Sequence, residues 1–489
     1  MLKTLLISDA NGLGLMEARP EPAWRVGMSA LRNKELLAPD YGAMHVAAFL
    51  KTNGLPVQVV NLVADVHSTV TVFAETVVDP GSLSGADIAT KDAAEASRRY
   101  LFSILESERP DVVFVSLSIY NLALYTRRLL GEIKAACPGA RLVTGGIYST
   151  FHAQDILADG YADVVIRGEG ELTSAFLLER LSQGRDLDGL AGVSYRDGAR
   201  IFHNETRPRI TDLDSLPHPY TVSGEFKVAS RFNILNELLP EPDWIAGAGF
   251  LTSRGCPEGC TFCLDPAING RRTRFHSPQY VREVLEFCSV NFPADGGSFF
   301  FGDATFTMNK KRLSKILAFL PELPYTYQIQ TRADYLDTGT IDALAAAGVT
   351  NIAIGAETFN QEILERVVRK RLGVGEIIGA ACSVREAGMK PMLTFIAGLP
   401  GETRESMLGT VQTLRENGLF DATFFPLVVF RGTQLFKEFE AVSTPARLES
   451  LRVNPVSEEF LFASDEFPTS TDLKEFADHL NAMVRSHCQ

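Results

Sequence analysis

Along the first 200 residues, short apolar runs alternate with longer stretches whose apolar positions recur at helical spacing. "KTLLISDA", "PVQVVNL", "DVVFVSLSI", "ARLVTGGI" and "ADVVIRGEGE" have strand length and are rich in Val, Ile and Leu, the pattern of strands buried on both faces. Between them "YGAMHVAAFLKTNG", "AAEASRRYLFSILESERP" and "LALYTRRLLGEIKAACPG" stop at Gly or Pro, as helices do. Strict alternation predicts an α/β fold with a parallel, doubly wound sheet, which binds ligands beyond its C-terminal strand ends. Gly145 and Gly146 of "TGG", and the "GEGE" segment with Gly168, Glu169 and Gly170, fall at two such ends, where backbone can approach a ligand closely.

From 201 to 245 the pattern degrades, with Pro at 208, 217, 219, 240 and 242, and predicts a linker. A second alternation fills 246–437. Its strand candidates are "GAGFLTSRGC", "GSFFFGDA", "TYQIQTRA", "TNIAIGAE", "KPMLTFIAGLPG" and "ATFFPLVVFRG". Six β/α units of about 30 residues fit a partial (β/α)6 barrel, whose chemistry lies at the strand C-termini. Cys256, Asp303, Arg332, Glu357 and the "GLPGE" loop each end a strand. Residues 438–489, with the capped candidate "TSTDLKEFADHLNAMVRSHC", read as a small helical extension.

The 489 residues are 45% hydrophobic and 22% charged, ordinary globular composition. No apolar run reaches the ~18 residues that cross a bilayer, so no membrane association is expected. Asp9 interrupts the N-terminus before a signal-peptide core could form. Seven scattered cysteines argue for a reducing compartment, read as the cytoplasm. A formal charge of −13 argues against a nucleic-acid partner, whose phosphates need Lys and Arg.

Three of the cysteines stand together: "RGCPEGCTFC" places Cys256, Cys260 and Cys263 in a CxxxCxxC run. Structural zinc takes four protein ligands, and nothing in the spacing supplies the fourth, although His276 is near in sequence. A [4Fe-4S] cluster held by three thiolates leaves one iron open to a substrate or cofactor.

"CPEGCTFC", followed by "SFFFGDATF", "IAIGAET" and "IAGLPGET", resembles the radical S-adenosylmethionine (SAM) superfamily over about residues 245–435. With the α/β domain ahead of it, residues 1–200, the chain is similar to the cobalamin-binding, methylase-like branch. The resemblance implies that Cys256, Cys260 and Cys263 bind three irons while SAM chelates the fourth. An electron from the cluster then cleaves SAM to methionine and a 5′-deoxyadenosyl radical. It places Phe262 near the adenine, Gly302 and Asp303 at the methionyl amine, Arg332 at the carboxylate and Glu357 at the ribose, with Gly398 and Pro400 offering backbone to the adenine edge. Gly302 departs from the paired Asp of many relatives. Plainer alternatives are that Arg332 and Glu357 pair with each other and that "GLPGE" is only a tight turn.

In the first domain, the loop after the first strand lacks the DxHxxG cobalt-binding motif, and the Asp65–His67 interval follows the wrong strand. Cobalamin is therefore expected without a protein His ligand. Ser116 and Ser118 of "VSLSIYN" and Gly145 and Gly146 resemble cobalamin strand ends. Tyr120 and Tyr148 are candidates to cover the corrin, and Gly168 and Glu169 complete the cofactor set.

The branch implies methylation of an unactivated centre in a small-molecule or peptide-like substrate, with a flavodoxin or ferredoxin as electron donor. Ring contraction or cyclisation without methyl transfer is the alternative. A tRNA methylthiotransferase needs three more cysteines in the first domain, where only Cys137 lies, and a carrier or sensor leaves Asp303, Arg332 and Glu357 without purpose.

Overall fold

The computed structural model describes residues 2–8, 41–61, 91–117, 123–223, 249–291, 297–444 and 466–486. The chain divides into two compact units. The first is mainly Met1–Thr211 and Ser215–Trp244; the second is mainly Ile245–Leu451 and Pro455–Gln489, with Asp212–Asp214 packing in the second.

In the first unit the apolar runs become β1 Thr4–Ser8, β2 Gln58–Asn61, β3 Val112–Ser116, β4 Arg141–Gly145 and β5 Val164–Ile166. Helices α1 Tyr41–Thr52, α2 Lys91–Glu108, α3 Ala123–Ala136 and α4 Ile147–Ala158 connect them, and α5 Gly170–Ser182 follows β5. The five strands are parallel in the order β2-β1-β3-β4-β5. Val112 to Val115 are all buried, as a strand covered on both faces requires. Strand order reverses between β1 and β3, and the topology assigns ligands to the crevice beyond those strand ends.

Two further strands, β6 Val193–Asp197 and β7 Arg200–His203, extend the sheet as an antiparallel hairpin, so it is mixed at one edge rather than parallel throughout. Gly198, φ 58°, takes the first central position of the two-residue loop after Asp197. The stretch expected as a linker also packs: β7 enters it, and Ile210, Leu213, Leu216, Tyr220 and Val222 are buried. Its prolines punctuate the segment without stripping it of apolar anchors. Residues 224–248 lie outside the described residues.

The second unit opens with β8 Gly249–Phe250. Next come β9 Ser253–Arg254, α6 Asp265–Asn269 and β10 Arg274–Phe275, with β9 and β10 forming a small antiparallel ribbon. Then α7 Pro278–Asn291, β11 Ser298–Phe301, α8 Lys310–Leu317, β12 Thr326–Thr331, α9 Thr338–Ala346, β13 Val349–Glu357, α10 Val374–Glu386, β14 Lys390–Ala397, α11 Arg404–Glu416 and β15 Ala422–Pro426 complete the alternation. The sheet order β8-β11-β12-β13-β14-β15 is parallel throughout, and β15 does not close onto β8. This is the expected partial barrel.

Right-handed crossovers in one direction put the helices on one face of the sheet. That face carries Phe299, Phe301, Tyr327, Ile329, Ile352, Ile354, Leu393, Phe395 and Phe424, all buried. Side-chain caps set several helix starts: Asn309 accepts from Arg312 N, Asp337 from Thr340 N and Thr403 from Ser406 N.

After β15 come α12 Gln434–Val442, which runs across the expected boundary at 437, and α13 Ser470–Arg485. α13 covers the open β15 edge. Asn481 Oδ1 accepts from Phe424 N at 2.7 Å and its Nδ2 donates to Phe424 O at 3.0 Å, standing in for a neighbouring strand.

Candidate functional site

The cysteine loop leaves β9 at Gly255, φ 96°, where an added Cβ would lie 2.8 Å from the carbonyl oxygens of Gly270 and Arg272. Cys256 N donates to Gly270 O at 3.2 Å, Cys263 N to Cys260 O at 3.2 Å and Thr261 N to Val368 O at 3.1 Å, so both ends of the loop are fastened by backbone. Cys256 is buried; Cys260, Phe262 and Cys263 are half-buried. Burial pushes the Cys256 thiol up, Cys260 to about 11 and Cys263 to about 12. Alone, these thiols stay protonated, and a bound metal would deprotonate them.

A zinc site finds no fourth ligand in His276. That ring is buried, its Nδ1 is 3.1 Å from Asp214 Oδ1, and it stacks on Tyr280 at 4.1 Å. Burial, then the Arg254 guanidinium, pull its pKa down to about 4. Among the described residues no three His, Cys, Asp or Glu side chains are gathered around a single ion.

Arg332, at the end of β12, is buried. Its Nε and Nη2 hold Asp334 in a fork of 2.9 and 2.8 Å, and its Nη1 stands 3.5 Å from Glu258 Oε2 of the cysteine loop with no hydrogen bond. The guanidinium also draws the Cys256 and Cys260 thiols downward, against their burial. A buried cation with an unused donor beside the thiols fits an incoming carboxylate.

Glu357 ends β13 in the left-handed region, φ 65°, where the register with β14 shifts after Gly355. Such strain in a non-glycine residue marks a site held by its surroundings. The carboxylate turns back over Gly355, at which a Cβ would lie 2.5 Å from Glu357 Oε1. Its partner is Lys370, 2.9 Å away, whose ammonium also donates to Gly355 O. Arg332 and Glu357 thus do not pair with each other. Lys370 was missed in the sequence, because a Lys within "VVRKRL" carries no signal of burial.

Asp303 departs from its expected role. Its carboxylate is fully buried and accepts from Thr252 N at 3.2 Å, from Thr252 Oγ1 at 2.9 and 3.0 Å and from Ser253 Oγ, so it is spent on the chain entering the cysteine loop. Arg312 fastens the same chain, donating to Thr252 O at 3.0 Å and His276 O at 2.8 Å. At Gly302 a side chain would meet Leu251 and Phe300, each 3.2 Å from the added Cβ, which accounts for the missing second Asp.

"GLPGE" ends β14 as a turn closed by its own glutamate. Glu402 N donates to Leu399 O at 2.9 Å, and Glu402 Oε2 accepts from Gly398 N at 3.1 Å and Leu399 N at 3.3 Å. Glu402 Oε1 accepts from Thr358 Oγ1 at 2.7 Å, tying the ends of β13 and β14 together. Gly398, φ 85°, is required twice over, since a Cβ would lie 2.7 Å from Leu473 of α13. Pro400 is half-buried at the turn's tip.

In the first unit, Ser116 and Gly145 are register partners at the ends of β3 and β4. Gly146, φ 95°, packs so closely that a Cβ would lie 2.3 Å from Leu117 O, whereas Gly145 and Gly168 leave open space. Two candidates are otherwise engaged: Tyr148 is buried and stacked on His152 at 4.2 Å, and Glu169 Oε2 accepts from Ile210 N at 2.8 Å. Ser118, Tyr120, Asp65 and His67 lie outside the described residues.

Three buried thiols on one loop of an open parallel barrel, with Arg332 and Glu357 ending successive strands, define an iron-sulfur site of the radical type. The α/β unit has the strand order of a cofactor-binding domain. Comparison with known proteins agrees. A family model for the radical SAM superfamily matches residues 250–414, and one for the B12 binding domain matches residues 30–178. The chain belongs to the radical SAM superfamily and carries a B12 binding domain ahead of its barrel.

Among curated proteins it is 28% identical over 338 residues to an uncharacterized methyltransferase of Pyrococcus horikoshii, covering 68% of this chain and 70% of that one. It is 24% identical over 428 residues to the cytidylyl-2-hydroxyethylphosphonate methyltransferase of Streptomyces wedmorensis, covering 81% and 77%. In fold it matches the radical SAM methyltransferase TsrM of Kitasatospora setae, solved with cobalamin and a [4Fe-4S] cluster. The TM-score is 0.64 at 17% identity, covering 91% of this chain and 80% of that one.

Proposed function

We propose that the protein is a cobalamin-dependent radical SAM methyltransferase acting on an unactivated centre of a small-molecule or peptide-like substrate. The observation that carries this reading is the unbonded Arg332 Nη1 beside three buried thiols, with the strained Glu357 at the next strand end. Two relatives bear methyltransferase names, which supports methyl transfer over rearrangement.

When bound, the cluster and SAM supply an adenosyl radical, and cobalamin supplies a methyl group. Cys256, Cys260 and Cys263 would hold the cluster. Arg332 would take the methionyl carboxylate, Glu357 the ribose hydroxyls, and the Gly398–Pro400 turn and Phe262 the adenine. Asp303 holds the loop and leaves the methionyl amine to backbone around Gly302. Ser116, Gly145, Gly146 and Gly168 would line the cobalamin tail. No described helix is long and apolar enough to cross a membrane. The unprotected thiols suit a reducing, cytoplasmic setting with a flavodoxin or ferredoxin as one-electron donor.

The test is anaerobic reconstitution with iron, sulfide and hydroxocobalamin, followed by desalting and metal analysis. About four irons and one cobalt per chain, with label passing from methyl-labelled SAM to a product, support the proposal. Four irons without cobalt, or deuterium entering 5′-deoxyadenosine without label in any product, would overturn methyl transfer.

A further inference from the structure

The inner face of the barrel sheet is chemically unlike its helix-covered face. Side chains alternate along each strand, so the inner positions are Ser298 and Phe300 on β11, Gln328 and Gln330 on β12, Ala353 and Gly355 on β13, Met392, Thr394 and Ile396 on β14, and Thr423 and Phe425 on β15. Register places Phe300 beside Gln328, Gln330 beside Ala353, Gly355 beside Thr394, Thr394 beside Thr423, and Ile396 beside Phe425.

Among the described residues, five of these side chains have hydrogen-bonding groups with no partner: Ser298, Gln328, Gln330, Thr394 and Thr423. The Ser298 hydroxyl is sealed from solvent and unpaired, and Gln328 is 5% exposed. Unused amides and hydroxyls at such depth are costly unless a ligand satisfies them. Ala353 and Gly355 leave room in the middle of the sheet, while Phe300 is half-buried and Phe425 is 52% exposed, offering ring surface at its margins.

Charge is confined to the two ends. At the C-terminal rim Arg332 is engaged by Asp334 and Glu258, and Glu357 by Lys370. At the N-terminal end Lys390 pairs with Asp421 at 2.9 Å. The inner positions between them carry no charged side chain. A phosphate, phosphonate or carboxylate there would lose its hydration without gaining a cation.

We infer that this lumen is a substrate site for an uncharged molecule bearing amide or hydroxyl groups and a flat apolar ring, bonded by Gln328, Gln330, Thr394 and Thr423. The inference rests on the radical SAM reading of the same barrel and separates this chain's substrate from a nucleotide-linked anion.

The test is equilibrium dialysis of the anaerobically reconstituted holoprotein, with SAM present, against three probes: N-acetyltryptophanamide, N-acetyltryptophan and cytidine monophosphate. The amide should bind saturably and at least tenfold more tightly than either anion. Gln330→Leu should weaken it fivefold or more, and Gln330→Lys should shift the preference toward N-acetyltryptophan. Equal or tighter binding of an anion, no saturable binding of the amide, or indifference to both variants would overturn the assignment. Iron content and SAM affinity are read on the same samples. If they are intact, failure sinks only the lumen assignment; if they are absent, it sinks the enzyme class as well.

Discussion

Lys370 Nζ lies 2.9 Å from Glu357 Oε1, and the two side chains are only 2% and 11% exposed. Removing one member of a buried pair leaves the other charge uncompensated, which costs about 3–5 kcal/mol. Lys370→Met should therefore lower stability by that order in urea denaturation, and adding Glu357→Gln should restore most of it. SAM affinity should not recover in the double variant, because the ribose has lost its carboxylate. Full recovery of SAM binding would show that Glu357 serves only the ion pair.

Replacing any one of Cys256, Cys260 and Cys263 by Ala should drop reconstituted iron from about four per chain to near zero. Cys382→Ala, a half-buried thiol on α10, should leave it unchanged. Iron assay and the visible spectrum decide this. Retention of a full cluster by one of the three variants would remove that cysteine from the ligand set.

Asp303 ties Thr252 and Ser253 to β11 beneath the cysteine loop. Asp303→Ala leaves those donors unsatisfied in a sealed environment, a cost of about 1–3 kcal/mol for each stranded group. Melting temperature and cluster loading should fall together. SAM affinity per loaded cluster should stay within about twofold. A tenfold loss of SAM affinity at full loading would return Asp303 to direct contact with the methionyl amine.

Much of this architecture was legible because apolar periodicity depends on burial, and the parallel strands of both units are buried on at least one face. The β6–β7 hairpin escaped because "VSYRDGARIFH" is polar and lies at a sheet edge; its Asp197–Gly198 pair was the available signal. The cysteine loop was legible because its spacing is local. What Asp303, Arg332 and Glu357 touch was not, since each partner lies on another segment: Thr252 is 51 positions from Asp303, and Lys370 reaches Glu357 from the far side of a π-helical turn at Leu364–Val368. Asp303 ended a strand as expected but points into the wall, a choice of face that strand position alone does not reveal.

Asn481 is the device that finishes the open side of the barrel. Both hydrogen bonds go to Phe424 backbone on β15, an edge that otherwise exposes a template for other chains. Asn481→Leu keeps the volume but strands one donor and one acceptor, about 1–3 kcal/mol each. The variant should melt earlier and self-associate more in sedimentation experiments. An unchanged melting temperature would mean that α13 covers β15 by apolar packing alone.

Glu402 is buried where the ends of β13 and β14 meet, and burial pushes its carboxyl up to about 7 despite three hydrogen bonds that favour the ionised form. An unfolded glutamate titrates near 4.3. Because the folded pKa is the higher one, the associated stability is present in full below about pH 4.3 and is lost as pH rises through about 7. Glu402→Gln keeps the shape of the turn and cannot ionise. Its melting temperature should track the wild type at pH 5 and exceed it at pH 8, by roughly 2–4 °C for each kcal/mol involved. The same variant should hold SAM equally well at both pH values, whereas wild-type affinity should weaken toward pH 8 as the ionised carboxylate strains the Gly398–Pro400 turn. Parallel wild-type and variant curves across pH 5–8 would mean that the hydrogen bonds from Thr358, Gly398 and Leu399 outweigh burial and keep Glu402 ionised throughout.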